Sequence, residues 1–200
     1  MSKAVQNRIG IFGGTFDPVH HGHLKIADSF LASNLLDELL VLPTPAPPHK
    51  TFKNRTPFSH RFEMLKIAFR HKQEVTVSDL ENQLEAPSYT LRTIRHLQAR
   101  HPSKKFFLCI GEDSLATFHE WWNYEELLQL APLIVAARPG FKGKRQSDEI
   151  LDRAIFVDHE QIDLSSTDIR EKARKNGTVS SEIVPEAVAE YVSKHELYRS

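Results

Sequence analysis

The sequence predicts an α/β fold: a doubly wound, mainly parallel sheet with helices on both faces and a small C-terminal helical portion. Three observations predict it. Short apolar runs of strand length recur from Ile9-Gly10-Ile11-Phe12 to Ala154-Ile155-Phe156-Val157, stretches with apolar residues at helical spacing separate them, and several runs stop in glycine or proline. Such alternation lays parallel strands side by side with helices as crossovers. At 200 residues the chain is most simply one domain over 1–200, helical from about 165 to 200. That length buries roughly 70% of the unfolded surface.

Met1 to Asn7 is a polar lead-in. Ile9, Ile11 and Phe12 form a buried strand that ends in Gly13-Gly14, and Leu24, Ala27, Leu31 and Leu35, widened by Ile26 and Phe30, predict a helix from about Gly22 to Asn34. Glu38 to Leu42 is a second strand, stopped by Pro43. The proline-rich stretch from Pro43 to Lys50 must be an extended loop. If the sheet is parallel it leaves the same edge as the glycine turn, so His49 and Lys50 reach the same ligand; the alternative is a solvated linker.

Phe58, Phe62, Leu65 and Phe69 predict a helix from near Pro57 to His71, and Val75 to Val77 a short strand. Leu91, Ile94 and Leu97 predict another helix, capped by a hydroxyl of the preceding Ser88-Tyr89-Thr90. Lys105 to Ile110 is the clearest strand and runs into Gly111-Glu112-Asp113, which presents a carboxylate at the carboxyl edge of the sheet. Trp121, Trp122 and Tyr124 cluster, as packing more readily than as a binding platform. Leu133 to Ala137 is a buried strand closed by Arg138-Pro139-Gly140, and Phe141 to Ser147 reads as a mobile basic loop. Ala154 to Val157 is the last strand. Asn176-Gly177 terminates a short helix that follows Asp163 to Arg170, and Val184-Pro185 opens a final helix with Val188, Tyr191 and Val192 on one face.

Lys plus Arg and Asp plus Glu both number 26, so no global field points to nucleic acid or to an acidic membrane. Cys109 stands alone, which excludes an intrachain disulfide and fits a reducing compartment. No charged-then-apolar leader opens the chain, and its apolar runs fall far short of the roughly 20 residues that span a bilayer. A soluble, cytoplasmic location is expected.

The unusual chemistry lies between Gly13 and His23. Bare glycines let a ligand approach the backbone, and a helix N-terminus favours an anion. His20 and His23 then serve as donors to phosphate oxygens. Zinc ligation is the weaker alternative, because no Cys is near and Asp17 is the only close carboxylate; local capping by the two rings is another. Ser165, Ser166 and Thr167 exceed what one helix cap needs, and with Arg170 one turn later they form a second anion site. Two phosphate sites suggest a nucleoside triphosphate gripped at both ends. Neither a Walker A loop nor Gly-x-Gly-x-x-Gly is present.

Gly13-Gly14-Thr15-Phe16-Asp17-Pro18-Val19-His20-His21-Gly22-His23 and Ser165-Ser166-Thr167-Asp168-Ile169-Arg170 resemble the two signatures of the HxGH nucleotidyltransferase superfamily. Within it the chain is similar to the bacterial nicotinate-nucleotide adenylyltransferases. Pro47-Pro48-His49-Lys50, Ser88-Tyr89-Thr90, Ile110 to Ser114, Trp121, Arg138-Pro139-Gly140, Val184-Pro185 and Leu197-Tyr198-Arg199 match in order. The resemblance implies a Rossmann-like sheet and adenylyl transfer from ATP to nicotinate mononucleotide in NAD synthesis, with Mg²⁺ carried by the ATP phosphates and no metal held by the protein alone. It implies His20, His23, Lys50 and Arg170 as catalytic. It implies Gly13, Gly14, Thr15 and Phe16 as backbone lining of the ATP site, Gly111 and Asp113 near the adenosine, and Arg138 near the adenine. Ser165, Ser166, Thr167 and Arg170 would hold the β- and γ-phosphates. His49, Lys50, Ser88, Tyr89, Thr90, Trp121 and Trp122 would form the mononucleotide site, although relatives often carry Tyr where this chain has Trp122. Neither nucleic acid nor membrane is an expected partner, and a homo-oligomer is left open.

Overall fold

The computed structural model describes residues 7–45, 55–137, 146–160 and 162–199. Among them six strands, β1 (Arg8–Gly14), β2 (Glu38–Pro43), β3 (Val75–Val77), β4 (Lys105–Gly111), β5 (Leu133–Ala137) and β6 (Ala154–Asp158), form one sheet. Its order is β3-β2-β1-β4-β5-β6 and every pair is parallel, giving the Rossmann-like fold the alternation predicts. Helices α1 (His21–Ala32), α2 (Phe58–Phe69), α3 (Leu80–Gln83), α4 (Thr90–Arg100), α5 (Glu112–Ala116), α6 (Tyr124–Leu130), α7 (Asp148–Leu151), α8 (Ser166–Asn176) and α9 (Glu186–Lys194) accompany it, with a 3₁₀ turn at Phe118–Glu120. The strand order reverses between β1 and β4, where an open parallel sheet leaves a crevice at its carboxyl edge.

Both faces of the central strands are covered, which is why they read as unbroken apolar runs. On one face Phe12, Cys109, Ile134 and Ala136 pack with Phe30, Met64 and Leu65 of α1 and α2. On the other Ile9, Ile11, Leu108 and Val135 pack with Leu91, Ile94 and Leu127 of α4 and α6. The C-terminal portion belongs to the first face: Ile169 and Ala173 of α8 and Val188 and Val192 of α9 are buried there. Gly177, at φ +72°, stops α8 where Asn176-Gly177 predicts.

Two expectations are corrected. α1 begins at His21 and closes at Ala32, because Asn34 takes the left-handed conformation. Neither hydroxyl caps α4: Tyr89 is its N-cap, with no side-chain hydrogen bond, and the Ser88 hydroxyl donates to the Glu81 carbonyl instead. The helices α3, α5, α6 and α7 were not apparent in the sequence at all. The proline-rich loop with His49 and Lys50, the Arg138-Pro139-Gly140 turn, most of the basic loop after it and the lead-in before Asn7 lie outside the described residues. Among the described residues no helix is long and apolar enough to cross a membrane.

Candidate active site

β1 delivers Gly13 and Gly14 to the carboxyl edge. Gly13 is exposed, and nothing stands within 4 Å of where its Cβ would be, so its backbone is open to a ligand. Phe16 turns the chain back at φ +49°. Its ring is 2% exposed and packs edge-on against Phe12 at 5.4 Å and His23 at 4.9 Å. Phe16 therefore offers only backbone to the site and supports one of the histidines from behind.

His20 is the N-cap of α1 and His23 sits in its first turn. Their ring centroids are 3.7 Å apart. The His20 backbone N–H donates to His23 Nδ1 at 3.2 Å. A neutral His23 with Nδ1 as acceptor must carry its proton on Nε2, and among the described residues nothing bonds that nitrogen. Burial, helped by the neighbouring His21, pulls the His20 pKa down to about 4. Burial and His20 pull His23 well below the usual imidazole value. Both rings are neutral donors at pH 7. His20 Nδ1 is buried with no hydrogen-bond partner among the described residues, an unsatisfied group of the kind functional sites retain.

The second candidate anion site docks directly on this loop. Ser165 caps α8: its oxygen accepts the Asp168 N–H at 3.1 Å, and its hydroxyl donates to the Asp168 carboxylate at 2.8 Å. Ser166 donates to the Pro18 carbonyl at 2.9 Å. Arg170 donates to the Asp17 carbonyl at 2.7 Å and to the Thr167 hydroxyl at 3.2 Å. One of the three hydroxyls thus caps, and a second, with the guanidinium, fastens the N-terminus of α8 beside that of α1. Two helix dipoles meet at one loop, which is the arrangement an extended polyanion needs.

Beneath the loop lies a network that sequence reading missed. Arg61 of α2 is fully buried. Its Nε donates to the Thr56 carbonyl at 3.0 Å, one terminal nitrogen to the Thr15 carbonyl at 2.7 Å and the other to the Pro45 carbonyl at 3.3 Å. Asp17 is 3% exposed and accepts from the Tyr198 hydroxyl at 2.9 Å and the Thr56 N–H at 3.4 Å. Burial lowers the Arg61 pKa while Asp17 opposes it, and burial followed by Asp17 drives the Tyr198 phenol far up. Nothing local in sequence announces partners 46 and 181 residues apart. Both Asp17 oxygens are engaged, and among the described residues no three His, Cys, Asp or Glu side chains converge as metal donors.

On the far side of β1, Gly111 ends β4 and caps α5, whose first turn holds exposed Asp113. Tyr89 and Thr90 open α4. The Tyr89 ring stacks on Trp122 at 4.8 Å, and the Arg92 guanidinium lies 5.5 Å and 5.7 Å from the two ring centres. Trp122 is 44% exposed, whereas Trp121 packs half-buried on Phe118 at 5.3 Å. The two indoles, read as equals in sequence, divide into a half-buried packing residue and a surface platform. Arg92 was not foreseen. Of the expected site residues, His49, Lys50 and Arg138 lie outside the described residues.

The cytidylyltransferase-like family model matches residues 11–172. The nicotinate-nucleotide adenylyltransferase of Bacillus subtilis is 37% identical over 193 residues, covering 96% of this chain and 99% of that protein. A solved structure of Plasmodium falciparum nicotinic acid mononucleotide adenylyltransferase complexed with NaAD superposes with a TM-score of 0.79 at 22% identity, covering 96% of this chain and 98% of that one. A second structure of that protein, complexed with APC, gives 0.76, likewise at 22% identity and over 96% and 98% of the two chains.

Proposed function

The chain belongs to the nicotinate-nucleotide adenylyltransferase family, and we propose how its residues share out that family's reaction. It transfers the adenylyl group of ATP to nicotinate mononucleotide, giving nicotinate adenine dinucleotide and pyrophosphate in NAD biosynthesis. The observation that supports the assignment of roles is the meeting of the α1 and α8 N-termini on the Asp17-Pro18 loop.

A phosphate monoester has its second pKa near 6, so the acceptor phosphate is already an anionic nucleophile at neutral pH and needs no general base. It attacks the α-phosphorus in line, the bond to the pyrophosphate oxygen breaks, and no covalent enzyme intermediate forms. Catalysis rests on positioning and on donors aimed at charge that grows on the transferring group. The open backbone from Gly13 to Phe16 lines the ATP phosphates, and His20 and His23 Nε2–H donate to the α-phosphate. The departing β- and γ-phosphates are held at the α8 N-terminus by the backbone N–H groups of Ser166 and Thr167, the Thr167 hydroxyl and Arg170, with the Ser165 and Ser166 hydroxyls fixing that terminus through Asp168 and Pro18. Arg170 can do so without leaving Asp17, because a guanidinium has five donors. Mg²⁺ arrives with ATP as part of the substrate, Asp17 being occupied by Tyr198 and Thr56. Gly111 and Asp113 take the ribose and Arg138 the adenine. His49 and Lys50 take the mononucleotide phosphate, and Lys50 also steadies the transferring group. Ser88, Tyr89, Thr90, Trp121 and Trp122 form the nicotinate side, with Trp122 rather than Trp121 presenting the stacking face. The whole chain acts as one domain in the cytoplasm.

Pyrophosphate release with a panel of phosphorylated acceptors tests the acceptor. Nicotinate mononucleotide is expected to exceed nicotinamide mononucleotide and phosphopantetheine in kcat/KM by at least about tenfold, equivalent to about 1.4 kcal/mol. Equal use of all three by folded protein would overturn the assignment of the acceptor pocket.

A further inference from the structure

We infer that a second ligand site, for a small anion with an apolar body, has its basic end at the opposite edge of the sheet from the catalytic loop. A cleft of about 450 Å³ opens between α4 and strands β1 to β4, a volume typical of small-molecule sites. Its floor is set by register. Ile9 pairs with Glu38 and Phe106, and Leu40 with Thr76, so these side chains rise from one face of four adjacent strands. Its wall comes from the last turns of α4, where His96 and Arg100 stand four residues apart with Leu97 and His101 beside them, and from Lys104 in the turn that follows.

Polarity in the cleft is segregated: apolar groups below, basic groups along one side. Elsewhere on the surface Arg8, Lys25, Lys72 and Arg95 take a carboxylate partner, whereas Lys172, Arg174, Lys175 and Lys194 take none among the described residues. Among the described residues Arg100 and Lys104 have none. The one acid of the cleft, Glu38, accepts the Asn7 side-chain amide at 2.8 Å. Ile9 and Phe106 sit four and five residues before Gly13 and Gly111, which puts the basic end of the cleft about 13 Å or more from the nucleotide edge, while Ser78 and Leu80, just past β3, carry its other end up to the level of Gly13. A carboxylate or phosphate against Arg100 and Lys104, with an alkyl or aryl body over Ile9, Leu40 and Phe106, satisfies both halves. A bare anion leaves half-buried Leu40 uncovered, and a neutral apolar molecule leaves the cations unpaired.

The test follows backbone amide shifts of the whole chain during titration with octyl phosphate and octanoate, which separate the two anion sources, and with octanol and inorganic phosphate as controls. The expected result is saturable shifts around Thr76, Leu97 and His101 for at least one amphipathic anion. Its affinity should exceed octanol and phosphate by about tenfold or more, and saturating ATP should leave it unchanged. An Arg100→Glu/Lys104→Glu variant should lose that affinity by about tenfold or more while retaining wild-type turnover. If charge reversal disturbs folding, Arg100→Gln/Lys104→Gln serves in its place. Equal binding of octanol, displacement by ATP, retained affinity in the folded variant, or no saturable shift at millimolar ligand would overturn the site.

Discussion

His23 owes its chemistry to one backbone bond. Because His20 N–H occupies Nδ1, the proton of the neutral ring must sit on Nε2, and burial keeps the ring neutral. A donor of this kind counts only where charge develops, so His23→Ala is expected to lower kcat by about 10² to 10³ with a small change in ATP affinity. Steady-state kinetics on folded variant checks it; near-normal turnover would reduce His23 to a capping residue. His20 carries a second consequence. With its pKa held near 4 in the fold and near 6.5 unfolded, the unfolded chain binds more protons between those values. The stability this contributes is complete above pH 6.5 and drains as pH falls toward 4, by about 3 kcal/mol. Urea unfolding across that window should show the fall, and His20→Gln should flatten it relative to the parent; parallel pH profiles would refute it.

At the scale of elements, what was legible in sequence is what is local. α8 has a serine at its start and a glycine just past its end, and both act as their chemistry dictates. Ser165→Ala is expected to cost about 1 kcal/mol by releasing the Asp168 N–H, and Gly177→Ala about 1 to 2 kcal/mol because φ +72° crowds a Cβ. Thermal unfolding of the two single variants measures each, and two such changes on opposite ends of one helix should add. The central strands were legible for a different reason: burial on both faces makes them continuous apolar runs. α5 and α7, with five and four residues, were not, because one turn establishes no period. The α4 cap misled because three polar residues in a row suggest a hydroxyl cap, while tertiary packing directs Ser88 to the Glu81 carbonyl.

Across the whole molecule, the two signature loops were readable but what holds them was not. Asp17 belongs to the first signature, yet its side chain faces inward, to Tyr198 at the far end of the chain and to Thr56. Arg61 sits inside a helix whose phenylalanine spacing gives no hint of a buried cation, and it ties the carbonyls of Thr15, Pro45 and Thr56 to α2. These carbonyls come from the β1–α1 turn and from both ends of the β2–α2 connection, so one side chain sets their relative positions. Replacing Arg61 with Met keeps volume and removes the donors, leaving three carbonyls unpaired and Asp17 without its buried countercharge. The expected loss is about 3 to 5 kcal/mol, the usual consequence of breaking a buried charged network from one side. Arg61→Lys restores one donor and the charge and should recover part of it. Denaturant midpoints order the three proteins, and activity measured below the variants' own transitions should fall in the same order, since the glycine turn loses its anchor as the carbonyls are released. An Arg61→Met protein within about 1 kcal/mol of the parent would mean that the loops are held by their apolar packing, with Arg61 an incidental occupant.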